Sequence, residues 1–131
     1  MTGVLKTSLA VLALLAGPCA AVADGPDTRA DRQAYIFADC AGRLRAHLEH
    51  GWLDGTHDAG TEAQGLAFDD VLDALPHAVP GPLLLDHRLR AKAHQAHLLQ
   101  LAAFHLDPER RRLARVHADR LRAGCTGLLL S

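Results

Sequence analysis

Apolar residues recur at helical spacing in four segments of this chain, and no segment shows the alternation of a half-buried strand. This pattern predicts an all-α fold. The first helix is predicted to run from Arg29 to about His50, with a capping box formed by Thr28 and Asp31 and a C-terminal stop at Gly51. Its apolar stripe comprises Ile36, Cys40, Leu44 and Leu48.

A loop and a shorter helix are expected to follow. Residues 52–60 are rich in glycine and aspartate and show no period, so they are predicted to form the loop. Thr61 and Gln64 give a second capping signal, and the helix that they begin is predicted to end at about Leu75, before Pro76. Residues 76–81, with two prolines and a glycine, are predicted to form a stiff connector.

The third helix is predicted to run from Pro82 to about His105 and is apolar on two opposite sides. That pattern is typical of a helix at the centre of a bundle or at a subunit interface. One apolar face consists of Leu85, Leu89, Ala93, Ala96, Leu99 and Ala103. The opposite face consists of Leu84, Ala91, Leu98, Leu101 and Ala102.

The fourth helix is predicted to begin at Asp107 as N-cap and Pro108 as first residue, and to end at Gly124. The tail over residues 128–130 is expected to fold back on the core. The predicted apolar edge of this helix consists of Leu113, Val116 and Leu121. The chain from residue 24 to 131 is thus predicted to be a single domain, a small bundle of about four helices.

The N-terminus has the layout of a Sec-type signal peptide. Lys6 precedes an apolar run over residues 9–16, and a small-residue motif over residues 21–23 favours cleavage after Ala23. The run is roughly half of the ~20 residues that span a bilayer, and no later segment is long and apolar enough to do so. Residues 1–23 are therefore predicted to be removed, and the protein is predicted to be periplasmic or secreted.

Export determines the predicted state of the cysteines. Once Cys19 leaves with the signal peptide, Cys40 and Cys125 remain, and an isolated pair in an oxidising compartment forms a disulfide. The bond closes a loop of about 86 residues, for which chain entropy gives roughly 4 to 5 kcal/mol of stabilisation. A redox-active pair would call for a Cys-x-x-Cys arrangement, which the sequence lacks.

Charge divides the chain into two halves of opposite sign. Residues 24–75 carry four basic and eleven acidic side chains, and residues 76–131 carry nine basic and four acidic ones. We expect the halves to attract, with the arginines of the fourth helix pairing with the acidic first half. Those arginines have no aromatic residues interleaved for base stacking, so nucleic-acid binding is not expected. They are Arg110, Arg111, Arg112, Arg115, Arg120 and Arg122.

Few catalytic nucleophiles are present after residue 23. The segment contains one serine, one lysine and one tyrosine, namely Ser131, Lys92 and Tyr35. The sequence also lacks a nucleophile elbow, a phosphate-binding glycine loop and a zinc-protease motif. We therefore expect a protein that is not an enzyme.

Histidine is unusually frequent, with nine residues in the chain. Two His-x-x-His pairs lie on predicted helices, His47 with His50 and His94 with His97. Three-residue spacing puts both imidazoles of a pair on one helix face, and four imidazoles from two facing helices would suit zinc or copper. The alternative is that the histidines occupy solvated helix positions and that the protein needs no cofactor.

These features predict a small exported helical protein that acts through an unidentified protein partner or as a structural accessory. A histidine-mediated zinc- or copper-binding protein is the first alternative. The second is a pH-responsive binder, because protonating nine histidines would move the charge of residues 24–131 from −2 toward +7 near pH 6.

Overall fold

The computed structural model describes residues 28–131, which form four helices and no strand, as the sequence predicts. The helices are α1 (Arg29–Asp54), α2 (Ala59–Ala74), α3 (Gly81–Phe104) and α4 (Pro108–Leu129). None of them combines the length and hydrophobicity needed to cross a bilayer. The predicted signal peptide and Cys19 lie outside the described residues.

The helices pack as an up-and-down bundle. Asp39 contacts His87, and further along both helices Glu49 contacts Lys92, so α1 and α3 run parallel. The turn of residues 105–107 reverses the chain, and α4 returns antiparallel to α3. α2 packs mainly against α1 and also contacts the end of α4.

Two predicted helix starts are confirmed. The amide of Asp31 donates to the Thr28 hydroxyl at 3.1 Å, and the amide of Thr28 donates to the Asp31 carboxylate at 3.1 Å, which completes the capping box. The same carboxylate accepts from the amide of Ala78 at 2.8 Å, so it also fastens the connector before α3. Asp107 caps α4 by accepting from the amide of Glu109 at 2.9 Å.

The predicted boundary between the first two helices is wrong. α1 continues through Gly51 to Asp54 and ends where Gly55 adopts a left-handed φ of 76°. Gly51 stays helical because the chain folds back onto it: a Cβ there would lie 2.7 Å from the Cα of His57. The turn is therefore shorter than predicted, and Asp58 caps α2 instead of Thr61.

The predicted end of the fourth helix is also wrong. α4 passes through Gly124 and runs to Leu129, because the disulfide and the Thr126 hydroxyl hold the last turns against the bundle. The tail does not fold back, although Leu129 packs against the core from within the helix. The predicted apolar edge of α4 is also largely exposed. Instead, α4 buries a stripe of small residues, namely Ala114, Ala118 and Cys125.

The core contains the disulfide. Cys40 and Cys125 form the predicted bond, with an S–S distance of 2.08 Å and their Cα atoms 5.4 Å apart. Around it lies the fully buried Phe68 of α2, whose ring centroid is 5.7 Å from that of Phe37. The bond thus joins the middle of α1 to the end of α4 inside the apolar cluster. The cluster consists of Cys40, Ala41, Leu44, Phe68 and Cys125.

α1 and α3 approach each other closely through small residues. A Cβ on Gly42 would lie 2.1 Å from the backbone oxygen of Arg88, a distance that no side chain tolerates. Only one apolar face of α3 takes part, whereas Leu85 and Leu89 on the other remain exposed. α3 is therefore not the buried centre of the bundle, and its alternative placement at a subunit interface stays a prediction. The buried residues of α3 are Ala91, Gln95, Leu98 and Ala102.

Ion pairs join the two oppositely charged halves, but through α3 and not α4. Arg88 pairs with Asp69 at 2.8 Å, and Lys92 pairs with Glu49 at 2.8 Å. The ion pairs of α4 within residues 28–131 are local, with Asp107 and Glu109 at its own N-terminus. The described residues show no ion pair between the α4 arginines and the acidic first half, although the charge of Arg122 helps to lower the pKa of Asp58, after the larger effect of its hydrogen bonds from Thr61. Most of that basic surface faces solvent.

Substituting Gly42 tests the α1–α3 contact. Gly42→Ala is expected to lower the free energy of unfolding by about 1–3 kcal/mol, because the added methyl group forces the two helices apart. Gly65→Ala is the matched control, since a Cβ there meets no atom within 4 Å. It should raise stability by about 0.5–1 kcal/mol through helix propensity. Urea unfolding measures both, and destabilisation of equal size in the two variants would contradict the packing described.

Candidate functional site

A polar junction lies between α1, α3 and α4. The side chain of Gln95 is 0% exposed, and its amide nitrogen donates to the backbone oxygen of Ala118 at 3.0 Å. The same nitrogen lies 2.7 Å from Nε2 of His47, which accepts when the imidazole carries its proton on Nδ1. The Gln95 amide of α3 therefore links this helix to both α1 and α4.

The environment keeps His47 neutral. Burial lowers its pKa to about 4, and the positive charge of Arg122 acts in the same direction. The negative charge of Asp119 opposes them, and His50 lowers the pKa slightly. A protonated imidazole could not accept from Gln95, so protonation would break one of the links that hold α3 to α1.

The structure separates the four predicted metal ligands. His47 contacts Gln95, whereas His50 lies 3.5 Å from the Asp54 carboxylate one turn further along α1. His94 points toward α4, and His97 lines a surface cavity. Within residues 28–131 there is no group of three or more histidine, cysteine, aspartate or glutamate side chains placed to hold a metal ion. Zinc or copper binding remains a prediction from the sequence.

His94 instead meets a histidine that spacing alone does not connect with it. The rings of His94 and His117 pack edge to face with centroids 5.7 Å apart. Partial burial lowers the pKa of His94, and the charge of Arg43 together with His117 and His97 lowers it further. Two imidazoles and a guanidinium from three helices therefore lie together at this junction.

Two adjoining cavities form a groove, which we name the α3–α4 groove. One lies between α3 and α4, and the other is lined by residues of α3 and by His105. Their volumes are about 280 and 400 Å³, and both are lined by Leu101 and His105. The apolar wall of the groove is formed by Leu98, Leu101, Phe104 and Leu113. Its polar rim is formed by His97, His105, Arg110 and His117, together with the amide of Gln100. No carboxylate lines either cavity.

Large apolar side chains are exposed around this groove. Leu106, at the turn between the helices, is 95% exposed, Phe104 is 78% exposed, and Leu113 is 52% exposed. The turn itself is ordered by the ring of His105, whose Nδ1 accepts from the amide of Asp107 at 3.0 Å. Because Nδ1 accepts this hydrogen bond, the neutral imidazole of His105 carries its proton on Nε2. The Nε2–H group can donate a hydrogen bond at the rim of the groove.

A second concave region lies between α1, α2 and α3 and differs in chemistry. Its cavity of about 420 Å³ is lined by acidic and basic groups, including Asp69, Asp73, His77 and Arg88. Arg88 and Asp69 already satisfy each other as an ion pair. The α3–α4 groove, with an apolar wall and no carboxylate in its lining, is therefore the stronger candidate for a binding site.

Comparison with known proteins adds no relative. A scan against protein-family models and searches of the curated proteins and of the solved structures found no match to this chain. The function must therefore be argued from the geometry.

Lowering the pH should weaken the fold through His47. Its pKa is lower in the folded state than the ordinary value of 6.5, so its contribution is complete above pH 6.5 and is lost as the pH falls to about 4. We expect a loss of about 2 kcal/mol across this window, because each unit of pKa shift corresponds to about 1.4 kcal/mol and the ring is partly exposed.

The variant His47→Gln isolates this contribution, because glutamine retains an acceptor for Gln95 but does not titrate. Its unfolding free energy should fall less than that of the wild type between pH 6.5 and 4. His57→Gln, at an exposed position, is the control and should follow the wild type. Identical pH dependence of all three proteins would show that His47 is not buried in its neutral form.

Proposed function

We propose that this chain is a protein-binding domain, and that its α3–α4 groove receives an amphipathic helix of a partner that carries acidic side chains beside its apolar face. The observation that carries the proposal is the combination of an exposed apolar groove with a rim of histidine and arginine and no carboxylate. The proposal places the function on the surface of the bundle, away from its core.

Apolar contact would supply the main part of the affinity. Around the groove, three large apolar side chains have more than half of their surface exposed to solvent. They are Phe104, Leu106 and Leu113. Burial of such a side chain against a partner stabilises a complex by about 1.5–3 kcal/mol. Exposed groups of this kind on a folded domain mark interaction sites.

Charge determines which helix fits. Arg110 lies on the rim, where its exposed ion pair with Asp107 is long, at 3.8 Å. Arg120 on the same helix is exposed and has no ion pair with a carboxylate of the described residues. A partner with acidic flanks would gain favourable pairing here, whereas a basic partner would be repelled. The choice of an acidic amphipathic helix follows from this complementarity.

Two further elements belong to the proposal. The protein is exported to the periplasm or secreted, and a disulfide between Cys40 and Cys125 is compatible with such an oxidising compartment. The rim also holds His97, His105 and His117, and imidazole N–H groups can donate hydrogen bonds to the acidic side chains of a partner.

Binding of designed peptides tests the groove. One helical peptide carries leucines on one face flanked by glutamates, and the second carries the same leucines flanked by lysines. Fluorescence anisotropy should show that the glutamate peptide binds at least about ten-fold more tightly at low salt. Equal affinity of the two peptides would contradict the proposed partner chemistry.

A matched pair of variants locates the site. Leu113→Gln in the groove should weaken binding of the glutamate peptide by about ten-fold or more, as expected for the loss of one buried leucine contact. Leu89→Gln, on the outer face of α3, removes a leucine of nearly equal exposure, 53% against 52%, and should leave binding unchanged. Equal weakening by both variants would place the contact elsewhere.

A further inference from the structure

Arg43 is a partly buried cation without a counter-charge. Its Nη1 atom is buried and has no hydrogen-bond partner, and no carboxylate of the described residues lies within ion-pair distance of its guanidinium. A buried donor of a charged group that remains unpaired destabilises the folded state. The Arg43 guanidinium on α1 therefore has a hydrogen-bond donor that no partner among the described residues satisfies.

Two imidazoles accompany Arg43. The charge of Arg43 acts on His94 of α3, and the ring of His94 packs against that of His117 of α4 at 5.7 Å between centroids. Imidazoles offer N–H donors and gain charge when an anion approaches, so they add to the attraction of the guanidinium. Each of the three helices that meet here contributes one of these side chains.

This cluster adjoins the α3–α4 groove. His117 belongs to both, because it lines the smaller cavity of the groove and also contacts His94. A ligand that lies along the apolar wall therefore reaches the cluster at the end of the groove remote from Leu106. No carboxylate lines either cavity of the groove, although the carboxylate of Asp107 lies 3.8 Å from Arg110 on its rim.

We propose that Arg43, His94 and His117 form an oxyanion-binding subsite that takes a carboxylate of the segment bound in the α3–α4 groove. The planar fork of the guanidinium matches the two oxygens of a carboxylate, and the imidazoles donate to the remaining lone pairs. The statement that the carboxylate belongs to a segment bound in the groove rests on the proposed function. Binding of a free oxyanion to the cluster does not depend on that function.

Titration with acetate tests the subsite without any partner. The C2–H signals of His94 and His117 in proton NMR should shift and saturate as acetate replaces chloride at constant ionic strength. Acetate should also raise the midpoint of thermal unfolding, because it binds only the folded state. Inorganic phosphate forms a second titration, and tighter binding of phosphate than of acetate would overturn the assignment to a carboxylate in favour of a phosphate ligand.

The variant Arg43→Met removes the charge and keeps the apolar stem. It should weaken acetate binding at least about ten-fold, since a charge-assisted pair is lost. Without acetate the variant should be at least as stable as the wild type, because an unpaired donor has been removed. Arg29→Met is the matched control, as it removes an exposed arginine 14 residues earlier in α1, about 21 Å away, and should bind acetate as the wild type does.

The outcomes separate the two proposals. Saturable acetate binding that Arg43→Met abolishes, together with glutamate-peptide binding that the same variant weakens, supports both. Acetate binding without peptide binding supports the oxyanion subsite but overturns its role in the groove. Peptide binding without acetate binding, or acetate binding that Arg43→Met leaves unchanged, overturns the subsite and leaves the protein-binding groove standing.

Discussion

The close approach of α1 and α3 at Gly42 is the constraint on which the rest of the structure depends. Because the backbone of Arg88 occupies the Cβ position of Gly42, only glycine at this position permits the distance and rotation at which α3 packs against α1. That rotation buries Gln95 and Leu98 and turns the leucines of the other face outward. α4 then packs onto the remaining side through Ala114 and Ala118, and the α3–α4 groove is what the two helices leave open beyond that contact.

A bundle built on alanine and glycine buries little apolar surface per residue, so polar and covalent links carry more of its specificity. The disulfide ties α1 to α4 within the small core. The junction of Gln95, His47 and Ala118 joins three helices through hydrogen bonds of one buried amide. Because these links fix the core, the large side chains Phe104 and Leu106 are not required for it and remain exposed at the surface.

Local signals predicted much of this fold, because they act within one turn of a helix. The capping box of Thr28 and Asp31 and the cap at Asp107 needed no tertiary information, and the pairing of Cys40 with Cys125 followed from a count of cysteines. The helix ends predicted at Gly51 and Gly124 were wrong, because packing and the disulfide override the tendency of glycine to end a helix.

The candidate site could not be predicted in the same way, since it depends on how whole helices are rotated. Spacing grouped His94 with His97, but the rotation of α3 set His94 against His117 and left His97 in the groove.

Photo-crosslinking with a glutamate peptide that carries a diazirine on its leucine face tests the central claim, that the α3–α4 groove is the binding site, most directly. The account predicts adducts on residues 97–117, and adducts mainly on α2 or spread evenly over the bundle would contradict it.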